Sequence, residues 1–505
     1  MQLDAMRNSM KAPELSLITS SDIFIAGEWR AGRGTPYQSY YPADQSVNAE
    51  ITAASADDAR EAVEAADAAW RRADWAGLKP HQRAAVLHRV ADLINQRLEP
   101  LAQLQRRDNG KPITETRGLV MSAANTFRYF AACVETLEES LTPPRGDFMT
   151  MSVHEPLGVV AAITPWNSPI ASDAQKIAPA LAAGNAVVLK PAEVTPLASL
   201  ALARICEEAG VPRGVLSVLA GKGSIVGDAL VKHPLVKKIA FTGGTEVGRG
   251  IARLAADKLM PVSLELGGKS PTIVFADADL DHAVNGVLYG IFSSSGESCI
   301  AGSRLFVQRS IYKTFVERLT EGARKLRVGD PAREDTQMGP LITGQHRESI
   351  ERYVALGLEE GGKLLCGGER PTGDGREKGF FYMPTILEGL SNDDRICQEE
   401  IFGPVLVVMP FDDEASLLCE ANDSVFGLAA GIWTGDYKRA YRMARALETG
   451  TVWINTYKQF SISTPFGGWK ESGMGREKGH MGIREYMQQK SLYWGLNAAP
   501  LPWAN

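Results

Sequence analysis

The run Gly296-Glu297-Ser298-Cys299-Ile300-Ala301-Gly302-Ser303-Arg304 places one thiol among small residues, where a substrate could approach it closely. Its type and setting suit a nucleophile. A free cysteine taken alone is more often a small inert hydrophobe, so the reactive reading of Cys299 rests on what surrounds it. The rest of the chain offers a dinucleotide-type αβ domain, a carboxylate and an amide, the accompaniments that a thiol-based oxidation needs.

The elements that must position these groups begin at Gly158. GVVAAIT, NAVVLK, VLSVLA, VKKIAFTG and PVSLEL are five short apolar runs separated by helical stretches, which implies a doubly wound parallel sheet. Ligands of such sheets bind beyond the carboxyl ends of the strands. The residues there are Thr164-Pro165-Trp166-Asn167, Lys190-Pro191-Ala192-Glu193, Gly221-Lys222-Gly223, Thr242-Gly243-Gly244-Thr245 and Glu265-Leu266-Gly267-Gly268. Lys190 and Glu193 can hydrogen-bond ribose hydroxyls, Gly243 and Gly244 let backbone approach a pyrophosphate, and a helix beginning near Thr245 offers its positive end. Gly221, Gly223 and Gly227 spell G-x-G-x-x-x-G rather than the Rossmann fingerprint, and each alone reads equally as a turn residue.

A second αβ stretch runs from Ser270 to about Thr456, with TIVF, RLFVQ, VLVVMPF, GLAAGIWTG and TVWINT as strands and helices near 280–294 and 311–326. Cys299 falls early in it, close to the seam with the first domain, where cofactor and substrate usually meet. Upstream, Ser55-x-x-Asp58 caps a helix, a second spans about 80–98, and a third, about 120–138, carries Phe127, Tyr129 and Phe130 as a core stripe. Phe148–Val153 and Ser491-Leu492-Tyr493-Trp494 are short β-prone runs expected to pair with each other or across subunits. Glu400-Ile401-Phe402-Gly403-Pro404 and Pro465-Phe466-Gly467-Gly468 each set an aromatic beside glycine, which alone reads as a tight turn. The expected architecture is α/β. It has a dinucleotide-binding domain over 1–134 and 157–267, a catalytic domain over 268–480, and a small β oligomerisation arm over 135–156 and 481–505.

The 505 residues carry a net charge of −6 and no run of like charges, which excludes a basic footprint for nucleic acid. The six cysteines show no paired or zinc-type spacing, so neither a disulfide scaffold nor a metal site is indicated. Residues 1–21 lack the apolar core of a signal peptide, and no apolar run is long enough to span a membrane. The expected setting is cytoplasmic.

Taken together, the motifs resemble the aldehyde dehydrogenase superfamily from about Ala26-Gly27-Glu28-Trp29 to Trp494, with the seven motifs around Asn167, Lys190, Thr242, Glu265, Cys299, Glu400 and Phe466 in the family's order. The resemblance implies oxidation of an aldehyde to the acid with NAD, preferred over NADP because Glu193 would repel a 2′-phosphate. It implies Cys299 as attacking thiolate, Asn167 and the Cys299 N–H as oxyanion donors, Glu265 as the base that activates water for thioester hydrolysis, and Glu477 as a second carboxylate, either in proton relay or in packing. It places the cofactor against Ile163, Thr164, Pro165, Trp166, Lys190, Ala192, Glu193, Gly223, Phe241, Thr242, Gly243, Gly244, Val247, Leu266, Gly267, Glu400 and Phe402. Gly244 departs from the Ser of many members and removes a hydroxyl that can cap the helix and contact the pyrophosphate. By the same alignment Ser122, Ser168, Gln175, Ser298, Ile300, Phe460 and Phe466 line a wide polar pocket for a hydroxylated, amide-bearing or carboxylated aldehyde. Lys458 reads either as a carboxylate anchor or as a solvated loop lysine. A homodimer or homotetramer is expected.

Rival readings are weaker. Gly268-Lys269-Ser270 ends like a phosphate-binding loop, but Ser263 stands where that motif needs glycine. A scaffold retained without catalysis would not need Cys299, Glu265 and Asn167 together, and a CoA-acylating enzyme would not need Glu265.

Overall fold

Two open parallel sheets organise the chain in a computed structural model that describes residues 20–497 and residue 503. The stretch 1–19, part of the segment read as lacking a signal peptide, lies outside the described residues. The first sheet runs Gly473–Met474, Val262–Glu265, Val236–Thr242, Val159–Ile163, Ala186–Lys190, Leu216–Val218, Ile23–Ile25 and Glu28–Arg30. Its five inner strands are the five expected apolar runs, and they pair in parallel. Val160, Ala161, Val187 and Val188 are wholly buried, because helices cover both faces and leave no side of the strand for water. Chain order reverses between Val159–Ile163 and Val236–Thr242. Two neighbouring carboxyl ends therefore diverge there, opening a crevice above Thr164 and Thr242.

Ser55 caps the helix Ala56–Trp70, accepting from the Asp58 N–H while the Asp58 carboxylate accepts from the Ser55 N–H. The long helix Ile113–Glu135 buries Phe127 and Phe130 completely, as the core-stripe reading requires, and packs on Pro169–Ala182.

The second sheet runs Lys363–Cys366, Thr385–Glu388, Val405–Phe411, Arg304–Gln308, Pro271–Val274, Ala429–Trp433 and Thr451–Ile454, with only the first pair antiparallel. Its two outermost strands on the Lys363 side had no signal comparable to the inner five. They are four residues each, and Lys363–Cys366 is bracketed by Gly361-Gly362 and Gly367-Gly368.

One core gathers residues from Ile23 to Leu266 and takes in Ile483 and Tyr486, while residues 273–447 form the other on the two faces of the second sheet. The chain thus returns to the first core through Gly479–Arg484 before the arm strand starts at Met487. Met487–Gly495 lies antiparallel to Phe148–Pro156, with Ser491 opposite Ser152 and Trp494 opposite Met149, and Ser140–Thr142 completes the sheet. Leu141, Tyr493, Trp494 and Leu496 are exposed on it. All six cysteines are free, and no described helix is long and apolar enough to cross a membrane.

Candidate active site

Cys299 follows a turn that few sequences could adopt. After the helix Leu280–Phe292, Ser294, Ser295 and Gly296 have φ of 57°, 55° and 72°, a left-handed run costing roughly 1–2 kcal/mol at each residue with a side chain. Hydrogen bonds hold it. Glu115 accepts from both the N–H and the hydroxyl of Ser294 at 2.8 Å, and the Ser295 hydroxyl donates to the Gly339 carbonyl at 2.9 Å. A Cβ on Gly296 would lie 2.2 Å from the Gly403 carbonyl, so only glycine fits. The buried Glu297 then accepts from the Ile342 N–H at 2.8 Å. Burial raises its pKa and lowers that of Lys111, while their mutual attraction opposes both shifts.

The thiol loop is wedged from both sides. A Cβ on Gly268 would come 2.4 Å from the Cys299 carbonyl oxygen, and the Tyr457 hydroxyl donates to the Ile300 carbonyl at 3.1 Å. Arg304, at the loop's end, is fully buried and donates to the carbonyls of Lys269, Glu420 and Ala421 and to Asn392. Asn167 approaches from the first domain, where its amide donates to the Glu297 carbonyl at 3.1 Å. One of its two N–H groups remains for a ligand.

Charge at the seam is governed by burial. Glu265 ends the strand Val262–Glu265, is 5% exposed, and has no hydrogen-bond partner on either carboxylate oxygen. Burial, then repulsion from Glu477, holds its pKa well above the carboxylate range, against Lys176, Arg476 and Lys478. Glu477 is itself tied to the buried Lys176. The Cys299 thiol is pushed up to about 12 by burial, then by Glu400 and Glu265, with Lys458 opposing. Burial thus favours the thiol over the thiolate, so a base that takes its proton would assist attack.

On the cofactor side, Trp166, His346 and Phe402 form a cluster with centroids 5.2–6.2 Å apart, and His346 Nε2 lies 2.8 Å from the Phe402 carbonyl oxygen. Phe402 has φ of 58°. Glu400 accepts from the Gly268 N–H at 3.0 Å, and burial pushes it up to about 7. Lys190, at the end of its strand after Ile163 on the neighbouring one, is pushed down to about 8 by burial, with Glu193 opposing; Gly223 lies beside its Nζ. A side chain at Gly243 would overlap the Phe241 ring, whereas Gly244 faces open space and starts the helix Thr245–Ala256 with no side-chain cap. The first-turn N–H groups of that helix are free to take an anion. Val247 is exposed on the same turn, Leu266 packs where a Gly248 side chain would be, and the Ser472 hydroxyl donates to the Gly267 carbonyl. Thr164, Pro165 and Ala192 line the strand ends between them.

On the opposite side, Trp453, Phe460 and Phe466 stand edge to face at 5.5 Å, and Phe466 and Cys299 both pack against the buried cluster that holds Ile300, Trp453 and Tyr457. Ser168 begins the helix Pro169–Ala182; Gln175 on it, Ser122 on Ile113–Glu135, and Ser298 are half-buried. Lys458 is not a solvated loop lysine, since it donates to the Ser293 hydroxyl at 2.8 Å. Sequence reasoning missed Glu115, His346, Tyr457, Lys176 and Lys478, which act through contacts distant in the chain. Lys478 alone left a local sign, standing directly after Glu477.

The sequence pattern of the aldehyde dehydrogenase family matches residues 29–492. The chain is 41% identical over 488 residues to the betaine aldehyde dehydrogenase of Bacillus subtilis (strain 168), covering 96% of this chain and 100% of that one. It is 43% identical over 464 residues to the betaine aldehyde dehydrogenase of Mesorhizobium japonicum, covering 91% and 94%. Among solved structures, the NAD+ complex of aldehyde dehydrogenase from Bacillus cereus superposes with a TM-score of 0.93 at 40% identity, covering 95% of this chain and 98% of that one. Betaine aldehyde dehydrogenase from Staphylococcus aureus with NAD+ superposes with a TM-score of 0.95 at 36% identity, covering 98% and 99%.

The raised thiol predicts how Cys299 alkylates in protein free of cofactor. Its rate with iodoacetamide, read on the Cys299 peptide by mass spectrometry, should climb about tenfold per pH unit through pH 9 without levelling, because the thiolate fraction is still rising. A plateau below pH 8 would show that the thiol is already ionised.

Proposed function

The chain belongs to the aldehyde dehydrogenase family, and on that premise we propose that it oxidises an aldehyde to the carboxylic acid with NAD+ and water, through a thiohemiacetal and a thioester on Cys299. The observation that carries this reading is a thiol loop fixed at the seam of the two domains beside a buried carboxylate, Glu265, whose oxygens are both unspent. As Sγ attacks the aldehyde carbon its proton passes to a base, and we assign that role to Glu265, whose carboxylate burial makes more basic. The carbonyl oxygen, now an anion, is held by the second N–H of the Asn167 amide and by the Cys299 N–H. Bound NAD supplies the acceptor for the hydride. Glu265 then removes a proton from the water that hydrolyses the thioester, a step for which a CoA-acylating enzyme would have no need. Glu477, paired with Lys176, raises the basicity of Glu265 and relays the proton outward.

The residues fit the cofactor. The uncapped helix at Gly244 and Thr245 suits a pyrophosphate, Lys190 and Glu193 suit ribose hydroxyls, and Glu400 with the Trp166–His346–Phe402 cluster would hold the nicotinamide half. Gly244 leaves anion binding to backbone N–H groups alone, which weakens affinity rather than changing the cofactor. Relatives named for betaine aldehyde support a small polar substrate, as do Ser122, Ser168, Gln175 and Ser298. An alkyl chain would leave such groups unpaired at roughly 1–3 kcal/mol each. The apolar residues exposed on the arm sheet support assembly into a homodimer or homotetramer.

NADH absorbance with hexanal, benzaldehyde, an aldehyde acid and an aminoaldehyde tests the reading. Turnover should appear with the polar members and vanish in Cys299→Ala, whose NAD binding and thermal unfolding stay unchanged. More than about 1% residual activity, a loss equivalent to roughly 2.7 kcal/mol of barrier, would remove Cys299 from its role. If hexanal is preferred tenfold, the polar pocket is wrong.

Cofactor choice has its own test. Wild type should prefer NAD over NADP by tenfold or more in kcat/KM, about 1.4 kcal/mol of like-charge repulsion at Glu193. Glu193→Ser should narrow that gap, and equal use of both cofactors by wild type would refute it.

Truncation after Gln489 removes most of the strand Met487–Gly495 and should yield dissociated or insoluble protein in light scattering. An active, monodisperse oligomer would show the arm to be dispensable.

A further inference from the structure

Lys478 carries a charge that the reaction above does not use. Its side chain is 8% exposed, yet its ammonium makes no hydrogen bond or ion pair among the described residues; its neighbour Glu477 is committed to Lys176. The ammonium lies instead 3.8 Å from the centroid of Phe460 and 5.1 Å from that of Phe466, a ring that packs against the same apolar cluster as Cys299. Residue 478 has φ of 60°, a left-handed conformation uncommon for a residue with a side chain. Burial pushes the amine down to about 8, while Glu477, Glu265 and Cys299 favour its charge. Without a hydrogen-bond partner of its own, the ammonium keeps its N–H groups for a ligand.

We propose that Lys478 is a substrate-specificity residue whose ammonium binds the carboxylate of a carboxylated aldehyde while the aldehyde carbon meets Cys299. Lys458, on the loop leading to Phe460, adds a second positive charge that Cys299 feels. The two phenylalanine rings flank the path with apolar surface, suited to the short methylene chain between the two ends of such a substrate. The same geometry disfavours cationic aldehydes. Quaternary ammonium groups are usually received on aromatic faces, and here the face of Phe460 is already covered by the protein's own ammonium. Substrate preference should therefore diverge from that in the names of the betaine aldehyde relatives.

This inference rests on the aldehyde-oxidising reading, and its test separates the two. The probes are 4-oxobutanoate, its methyl ester and betaine aldehyde, assayed with wild type, Lys478→Met and Lys478→Arg. Wild type should favour 4-oxobutanoate over the ester by about 30-fold in kcat/KM, mainly through KM, as a charge-assisted contact of about 2 kcal/mol would give. The ratio should fall below about threefold in Lys478→Met and recover in Lys478→Arg. Because the readout is a ratio, a general loss of activity in a variant cancels. Equal use of acid and ester by wild type, an unchanged ratio in Lys478→Met, or betaine aldehyde as the best of the three would overturn the proposal. Calorimetric titration of 4-oxobutanoate into Cys299→Ala gives a readout without turnover. Binding weakened tenfold or more by adding Lys478→Met supports the anchor even if no aldehyde is oxidised, and binding indifferent to Lys478 overturns it.

Discussion

Backbone contact at two glycines fixes where the chemistry can happen. Gly268 lets the link between the two sheets pass within contact of the Cys299 carbonyl, and Gly296 lets the turn before the thiol pass against Gly403. A methyl group at either position would drive the loop away from its neighbour by more than an ångström, since contacts of 2.4 Å and 2.2 Å must open to ordinary van der Waals separation. The left-handed turn at 294–296 follows from this constraint, and so does the half-buried Glu115 contact that holds it. Small misplacements of a reacting group cost large factors in rate. It is consistent that the loop is fixed by backbone packing and by hydrogen bonds that also pin the long side chains reaching it, Glu115 and Arg304.

The same burial that fixes the loop sets its electrostatics. Glu265, Glu400 and the Cys299 thiol are all raised by desolvation first; Glu477 adds to the rise at Glu265, and Glu400 and Glu265 add to that at Cys299. Lysines at the seam are lowered for the same reason. Protons are thus held by acids and released by bases more readily than in water, which brings groups of opposite character toward one another on the pH scale. A carboxylate moved up in this way can exchange a proton with a thiol or a water near neutrality, which an exposed one could not do efficiently.

Much of this was legible in the sequence because it is local. Ten strands announced themselves as apolar runs, nine of them inner strands, since strands buried on both faces cannot alternate; the tenth, Thr451–Ile454, is the edge of the second sheet. The Ser55–Asp58 cap and the Phe127–Phe130 stripe are also written within a few residues. What escaped depends on distant pairings. The Lys363–Cys366 and Thr385–Glu388 strands are short and lie at the sheet's margin, the antiparallel Gly473–Met474 strand is two residues long, and nothing near Glu115 or Tyr457 says that each meets the thiol loop. Charge state escaped for the same reason. The sequence shows that Cys299 has small neighbours, but its raised pKa comes first from burial in the assembled fold and then from Glu400 and Glu265, about a hundred residues after it and more than thirty before it.

The central claim is that Cys299 carries the acyl group and that Glu265 releases it. Glu265→Gln, mixed with NAD and an accepted aldehyde and sampled over time, should accumulate the acyl mass on the Cys299 peptide, formed more slowly than in wild type because the thiol has lost its base, and released more slowly still. Acyl mass on another peptide, or release as fast as in wild type, would contradict the account.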